Sequence, residues 1–173
     1  MRRIIKNTIL AVVFLSCMLF SSFVTKKIPE KLQQKVNAAI TTAYATESFS
    51  LSGVSHTDIP QKDYVFKIIT KGKTIGYAYV GEANSMKNVF NYVVLFNMDL
   101  SIKKTKVLIY REEHGRQIGA QRWLKQFIGM NATDKPNYGE NIDAISGATI
   151  SAKSMTIAVN GVLTTITAIK NSL

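Results

Sequence analysis

Tyr64-Val65-Phe66-Lys67-Ile68-Ile69-Thr70-Lys71-Gly72-Lys73-Thr74-Ile75-Gly76-Tyr77-Ala78-Tyr79-Val80 reads as two strands folded back on one tight turn. β-branched and aromatic residues fill both arms, Tyr64–Ile69 and Thr74–Val80, and such side chains pack well on a pleated surface. Lys71-Gly72-Lys73 interrupts the run and supplies a glycine for a positive φ, which is a hairpin signal. Gly81–Lys87 is a polar connection to a third strand, Asn88–Phe96. Asn97-Met98-Asp99 turns the chain into a fourth, Ile102–Tyr110. Parallel strands need long crossovers, and none of these connections is long enough to be one. The expected fold class is α+β, an antiparallel sheet of at least four strands packed by helices.

Further along, Tyr110–Gly119 is a polar loop with two glycines. It leads to a helix over Ala120–Ile128 that carries Trp123, Leu124 and Phe127 and stops near Gly129. Asn131–Glu140 is a polar loop with Pro136 and Gly139. Asp143-Ala144-Ile145-Ser146-Gly147-Ala148-Thr149-Ile150-Ser151 then opens a long amphipathic pattern. Met155, Val159, Val162, Ile166 and Ile169 recur at steps of 4, 3, 4 and 3, the apolar stripe of a helix. Ser151 reads as the N-cap, with Thr149 just outside the helix. A helix start has free N–H groups and a partial positive charge, so it suits a phosphate, and Gly147 and Ala148 let backbone approach closely. On the residues alone this stretch is either a plain cap or an anion site.

On the N-terminal side, Phe49–Pro60 is rich in Ser, Gly and Thr and reads as a loop, with His56 a surface residue within it. Pro29–Ala45 reads as a helix with Ile28, Leu32, Val36, Ala39 and Ile40 on one face and Pro29 at its first position. Asn7–Thr25 holds no charged residue. As a helix it would reach roughly 28 Å at about 1.5 Å per residue, close to a bilayer core of about 30 Å. Arg2, Arg3 and Lys6 precede it, which keeps the N-terminus in the cytoplasm and sends the rest across. The one Ala-x-Ala match, Ala43-Tyr44-Ala45, lies too far downstream for signal cleavage, so a retained single-pass anchor is the preferred reading. Lipidation at Cys17 is a lesser alternative. The expected organisation is an anchor over 1–27, a helical linker and loop over 28–60, and a domain over 61–173 on the extracytoplasmic side of the cell membrane.

Composition narrows the function. Formal charge is +11, from 22 basic and 11 acidic residues. The dense basic cluster Lys103-Lys104-Thr105-Lys106 sits in a strand and lacks the interleaved aromatics of a nucleic-acid surface, so no nucleic-acid partner is expected. Two histidines and one cysteine argue against a metal site. The glycine patterns of dinucleotide and P-loop sites are absent. A Ser or Thr nucleophile would need His56 or His114 as base, and no catalytic residue is assigned.

Asp143-x-x-Ser146-Gly147-Ala148-Thr149 resembles the flavinylation motif of FMN-binding domains, such as those in the Na+-translocating NADH:quinone oxidoreductase and in the Rnf electron transport complex. A second likeness is the loop Glu113-His114-Gly115 followed by a short helix ending Gln126-Phe127-Ile128-Gly129. In the family a proline stands between the acid and the glycine, where this chain has His114. The resemblance implies FMN joined by a phosphoester bond to Thr149. It implies a cofactor site drawn from Asp143, Ile145, Ser146, Gly147, Ala148 and Ser151, with Glu113, His114 and Gly115 near the flavin ring. The polar stretch Asn131–Glu140 is expected to form a loop over that site. It further implies a flavin transferase, dependent on FAD and Mg2+, as the partner that attaches the cofactor, and membrane redox proteins as electron partners. The chain would then be an electron carrier and not a stand-alone enzyme. The alternative is a module of the same fold that holds flavin reversibly or serves a membrane complex as a non-redox assembly partner.

Overall fold

The expected hairpin turn is two residues long. Lys71 and Gly72 both take positive φ, 51° and 73°, as a primed turn requires. The turn joins β2 (Tyr64–Thr70) to β3 (Lys73–Asn84) in a computed structural model that describes residues 27–173. β3 runs on through Glu82 to Asn84, into the stretch read as a polar connection. β4 (Val89–Phe96) and β5 (Ile102–Ile109) complete the expected meander.

The sheet has five strands, in the order β1-β2-β3-β4-β5, all antiparallel. The extra strand, β1 (Ser50–Val54), corrects the loop reading of Phe49–Pro60. It pairs with β2 from Ser50 opposite Ile69 to Val54 opposite Val65. An edge strand needs backbone pairing on one side only, so Ser and Gly in its sequence hid it. The registers bring Val54, Tyr64, Asn84, Val89 and Ile109 to one end of the sheet, called here the upper end.

Both faces of the sheet are covered, which explains the unbroken apolar run Tyr92-Val93-Val94-Leu95-Phe96. Tyr92, Val94 and Phe96 point to one face, and Val93 and Leu95 to the other. The first face packs against α3 (Thr149–Ala168) through Met155, Val159, Val162 and Ile166. The expected Ala120–Ile128 helix is instead one α turn, α2 (Gln121–Leu124), between short 3-10 segments at Arg116–Gly119 and Lys125–Phe127. Trp123, Leu124 and Phe127 are nonetheless buried on the first face as anticipated. The second face packs against α1 (Glu30–Tyr44), whose stripe Leu32, Val36, Ala39 and Ile40 is buried with Ile28. Pro29 stands one place earlier than expected, at the N-cap. Tyr44 pins the lower end of α1 to the sheet, its hydroxyl donating to the carbonyl of Phe96 (2.6 Å).

Among the described residues no helix is long and apolar enough to cross a membrane. The apolar run Asn7–Thr25 and Cys17 lie outside the described residues.

Candidate functional site

α3 begins three residues earlier than the sequence predicts. Its N-cap is Ala148 and its first residue is Thr149. Ser151 is therefore not the cap: it lies in the first turn, 4% exposed, and shares a hydrogen bond with the Tyr110 hydroxyl (2.9 Å). Gly147 takes φ 76° and turns the chain sharply into the helix. Ala148 has no side chain able to cap, so the N–H groups of the first turn stay open for an anion. Thr149 is exposed, and its hydroxyl donates only a long bond to the Ile145 carbonyl (3.5 Å).

A cleft of about 510 Å3 lies at this helix start, at the upper end of the sheet. Such a volume falls within the roughly 300–1,000 Å3 of small-molecule sites. Three segments wall it: Met86–Asn88 from the β3–β4 turn, Tyr110–Gly115 beyond β5, and Gly147–Ser151. The structure thus brings Glu113, His114 and Gly115 together with Gly147, Ala148, Thr149 and Ser151. Gly115 is buried at φ 79°, and a Cβ there would lie 2.7 Å from the Tyr110 hydroxyl and 3.3 Å from the Gly147 carbonyl. Only glycine lets the two loops close on each other here. Lys87 and Arg111 add positive charge to the walls.

Asp143, Ile145 and Ser146 do not line the cleft. Asp143 is exposed and is held by its backbone: its N–H donates to Gln126 Oε1 (2.9 Å) and its carbonyl accepts from Trp123 Nε1 (2.8 Å). The Gln126-Phe127-Ile128-Gly129 stretch thereby sets where the turn toward Thr149 begins. Ile145 packs on the core. Ser146 is exposed in the turn. The loop Asn131–Glu140 supplies no residue to the cleft, correcting its expected place over the site. Asn131 and Ala132 lie instead beside Leu163 and Ile166 of α3, away from its start.

Sequence reasoning missed the residue that joins two of the walls. Glu112 Oε1 accepts from Ser85 Oγ (2.6 Å) and from the backbone N–H groups of Lys87 and Asn88 (2.8 Å each). The Ser85 hydroxyl and those two amides hold its carboxyl down to about 2. Arg111 reinforces the junction, donating to the Val89 carbonyl (2.8 Å) and Asn91 Oδ1 (2.7 Å). Nothing local distinguishes Glu112 from Glu113, because its partners lie more than twenty residues upstream.

The lowered value gives a sign. A carboxyl depressed in the folded state adds stability above its ordinary value of 4.5, and loses it as pH falls toward about 2. Glu112→Gln should therefore lower Tm most at neutral pH, and the gap to the parent should narrow as pH falls below 4.5. Thermal melts of both proteins across that range test this; a gap that does not change with pH would show that the carboxylate charge contributes nothing to the clamp.

The residues fit a phosphate-bearing cofactor: an uncapped helix start and a close-packed glycine pair, in a cleft whose walls pair two cations, Lys87 and Arg111, with two carboxylates, Glu112 and Glu113. No curated protein matches the chain. Comparison with protein families matches residues 86–164, a span containing every residue that lines the cleft. Over those residues the chain carries an FMN-binding domain.

Proposed function

We propose that FMN is joined through its phosphate to Thr149 Oγ1, and that the chain is a membrane-anchored, extracytoplasmic electron carrier. The observation that carries this reading is the exposed Thr149 hydroxyl on the first turn of an uncapped 20-residue helix, inside the cleft of the FMN-binding domain. Thr149 would give up its proton and form the oxygen–phosphorus bond, and the transferase would release AMP from FAD. The bound flavin supplies electron transfer, and the protein supplies orientation and limits solvent. The first-turn N–H groups, with Lys87 and Arg111, would balance the phosphate charge. Glu112 would keep the Met86–Asn88 wall against the Tyr110–Gly115 wall. A covalent tether suits an exported carrier, since free FMN would otherwise be lost by dissociation.

Flavin fluorescence that stays with the chain on a denaturing gel, after expression with a flavin transferase, tests attachment. Fluorescence that leaves the chain on denaturation would point to reversible holding, and no fluorescence at all to a flavin-free module. Location is tested at Ser52, exposed on the edge strand. In intact cells Ser52→Cys should react with a membrane-impermeant thiol reagent. Reaction only after lysis would place the domain in the cytoplasm.

A further inference from the structure

Lysines gather along the seam between α1 and β5, and no carboxylate answers them. Lys104 and Lys106 stand opposite Leu95 and Val93, so they lie on the second face of the sheet, the face that α1 covers. On α1, Gln33 and Asn37 line a groove over β1 and β2. Lys31 and Lys35 come nearly half a turn further round, beyond the buried stripe, which puts them on the β5 side. Both are exposed, and Lys104 and Lys106 are half-buried. Among the described residues none of the four is in an ion pair.

Local folding rules do not account for this cluster. Lys31 stands in the first turn of α1, where the helix dipole favours an acid, and Lys35 repeats its charge one turn on, a destabilising like-charge spacing. Lysine on a sheet edge commonly blocks pairing with another chain. Here that edge is already engaged. Ile102 donates to the Met130 carbonyl and accepts from the Gly129 N–H (2.7 Å each), and Gln121 Nε2 donates to the Thr105 carbonyl (3.4 Å). β1, the opposite edge, carries no charged residue, so lysine is absent where such blocking would serve. Locally unfavourable choices that converge on one surface are the mark of a functional site.

We infer that the α1–β5 seam docks the acidic surface of another protein. The large exposed apolar side chains Met86, Met98, Ile128, Ile150 and Ile157 all lie off α1 and β5, so the seam has nothing to insert into lipid. Tyr44, the aromatic at the lower end of α1, is already engaged by Lys103 Nζ, 5.2 Å from its ring centre, and is not a platform for a nucleic-acid base. Lysine ammonium groups remain as the recognition chemistry, and carboxylates are what they would meet on a protein. At physiological ionic strength exposed charges are screened beyond about 8 Å, so the partner's carboxylates must come close and the contact weakens as salt rises. The docking does not depend on the flavin reading.

The test uses the full chain in a neutral detergent and a fluorescein-labelled oligoglutamate peptide, read by fluorescence anisotropy at low salt. Lys104→Gln with Lys106→Gln should weaken binding about fivefold or more, because both charges face the peptide. Lys31→Gln with Lys35→Gln, on the helix side of the seam, should weaken it alike, and answers the question should the strand pair disturb the fold. Lys71→Gln with Lys73→Gln removes the same net charge at the β2–β3 turn and should weaken binding less than about twofold. Equal weakening by all three pairs, or no binding by the parent, would overturn the inference. Tighter binding of duplex DNA than of the peptide, lost through the same seam lysines, would assign the surface to nucleic acid instead. A Lys104→Gln, Lys106→Gln protein that self-associates in light scattering while keeping the parent's affinity for the peptide would show that these lysines guard the sheet edge, and would also overturn it.

Discussion

Thr149→Ala leaves the denatured chain without flavin. In the parent protein, matured with a flavin transferase, the peptide containing Thr149 should gain about 438 Da, the mass of FMN less one water, as expected of a cofactor carrier. The variant peptide should show no gain, because alanine offers no oxygen to the phosphorus. The fold should survive. Thr149 is exposed and caps nothing, since the N-cap is Ala148, and its one side-chain bond is a long one to Ile145. The stability cost should stay within about 0.5 kcal/mol, the range of ordinary surface substitutions. Thr149→Ser keeps a hydroxyl on the same first turn and should retain modification. Ser151→Ala is the sharper control. It deletes a buried hydroxyl bonded to Tyr110, so it should cost about 1 kcal/mol and yet keep the adduct. An adduct that survives Thr149→Ala and disappears with Ser151→Ala would make Ser151 the acceptor. No adduct in any variant, with a competent transferase present, would favour the reversible or flavin-free module.

The contrast between Thr149 and Ser151 also shows where sequence reading reaches its limit. The stripe Met155, Val159, Val162 and Ile166 was legible because helical period and burial are the same signal, and all four are buried. The meander was legible because its connections are too short for crossovers. The start of α3 was not, because Ser is a far better cap than Ala by propensity. Two facts beyond that scale decide it: the positive φ of Gly147, and Tyr110, which engages the Ser151 hydroxyl from 41 residues away. The Glu112 junction is hidden for the same reason, as its three donors come from the far side of two strands. β1 fails differently: Ser50-Leu51-Ser52-Gly53-Val54 has weak strand propensity, and the backbone of β2 supplies what its side chains lack. The motif Ser146-Gly147-Ala148-Thr149 could be found by eye. The cleft around it required the fold.

Gly76→Ala should be the most damaging single-methyl change in the domain. Gly76 lies in β3 opposite Ile68, and an added Cβ would overlap the Phe96 carbonyl oxygen and the Tyr44 hydroxyl together. The Tyr44 ring could swing away, but the Phe96 carbonyl is backbone of the neighbouring strand and can yield only if β3 and β4 part. The same oxygen accepts the hydrogen bond that fixes α1 to the sheet, so the strand pair and the helix contact fail together. Overpacking of this kind costs about 1–3 kcal/mol, and loss of the hydrogen bond about 1 kcal/mol more. For a domain of this size that is a fall in Tm of about 5–15 °C. Tyr44→Phe alone removes the bond and keeps the ring, so it should cost only about 1 kcal/mol. A double-mutant cycle separates the two sources of strain. If the ring bears the clash, Gly76→Ala should cost much less in a Tyr44→Ala background. If the carbonyl bears it, the cost should be nearly the same in both backgrounds, and the immobility of the Phe96 carbonyl argues for that result. A Gly76→Ala protein that melts with the parent would show that β3 and β4 are less closely apposed at this point than the structure has them.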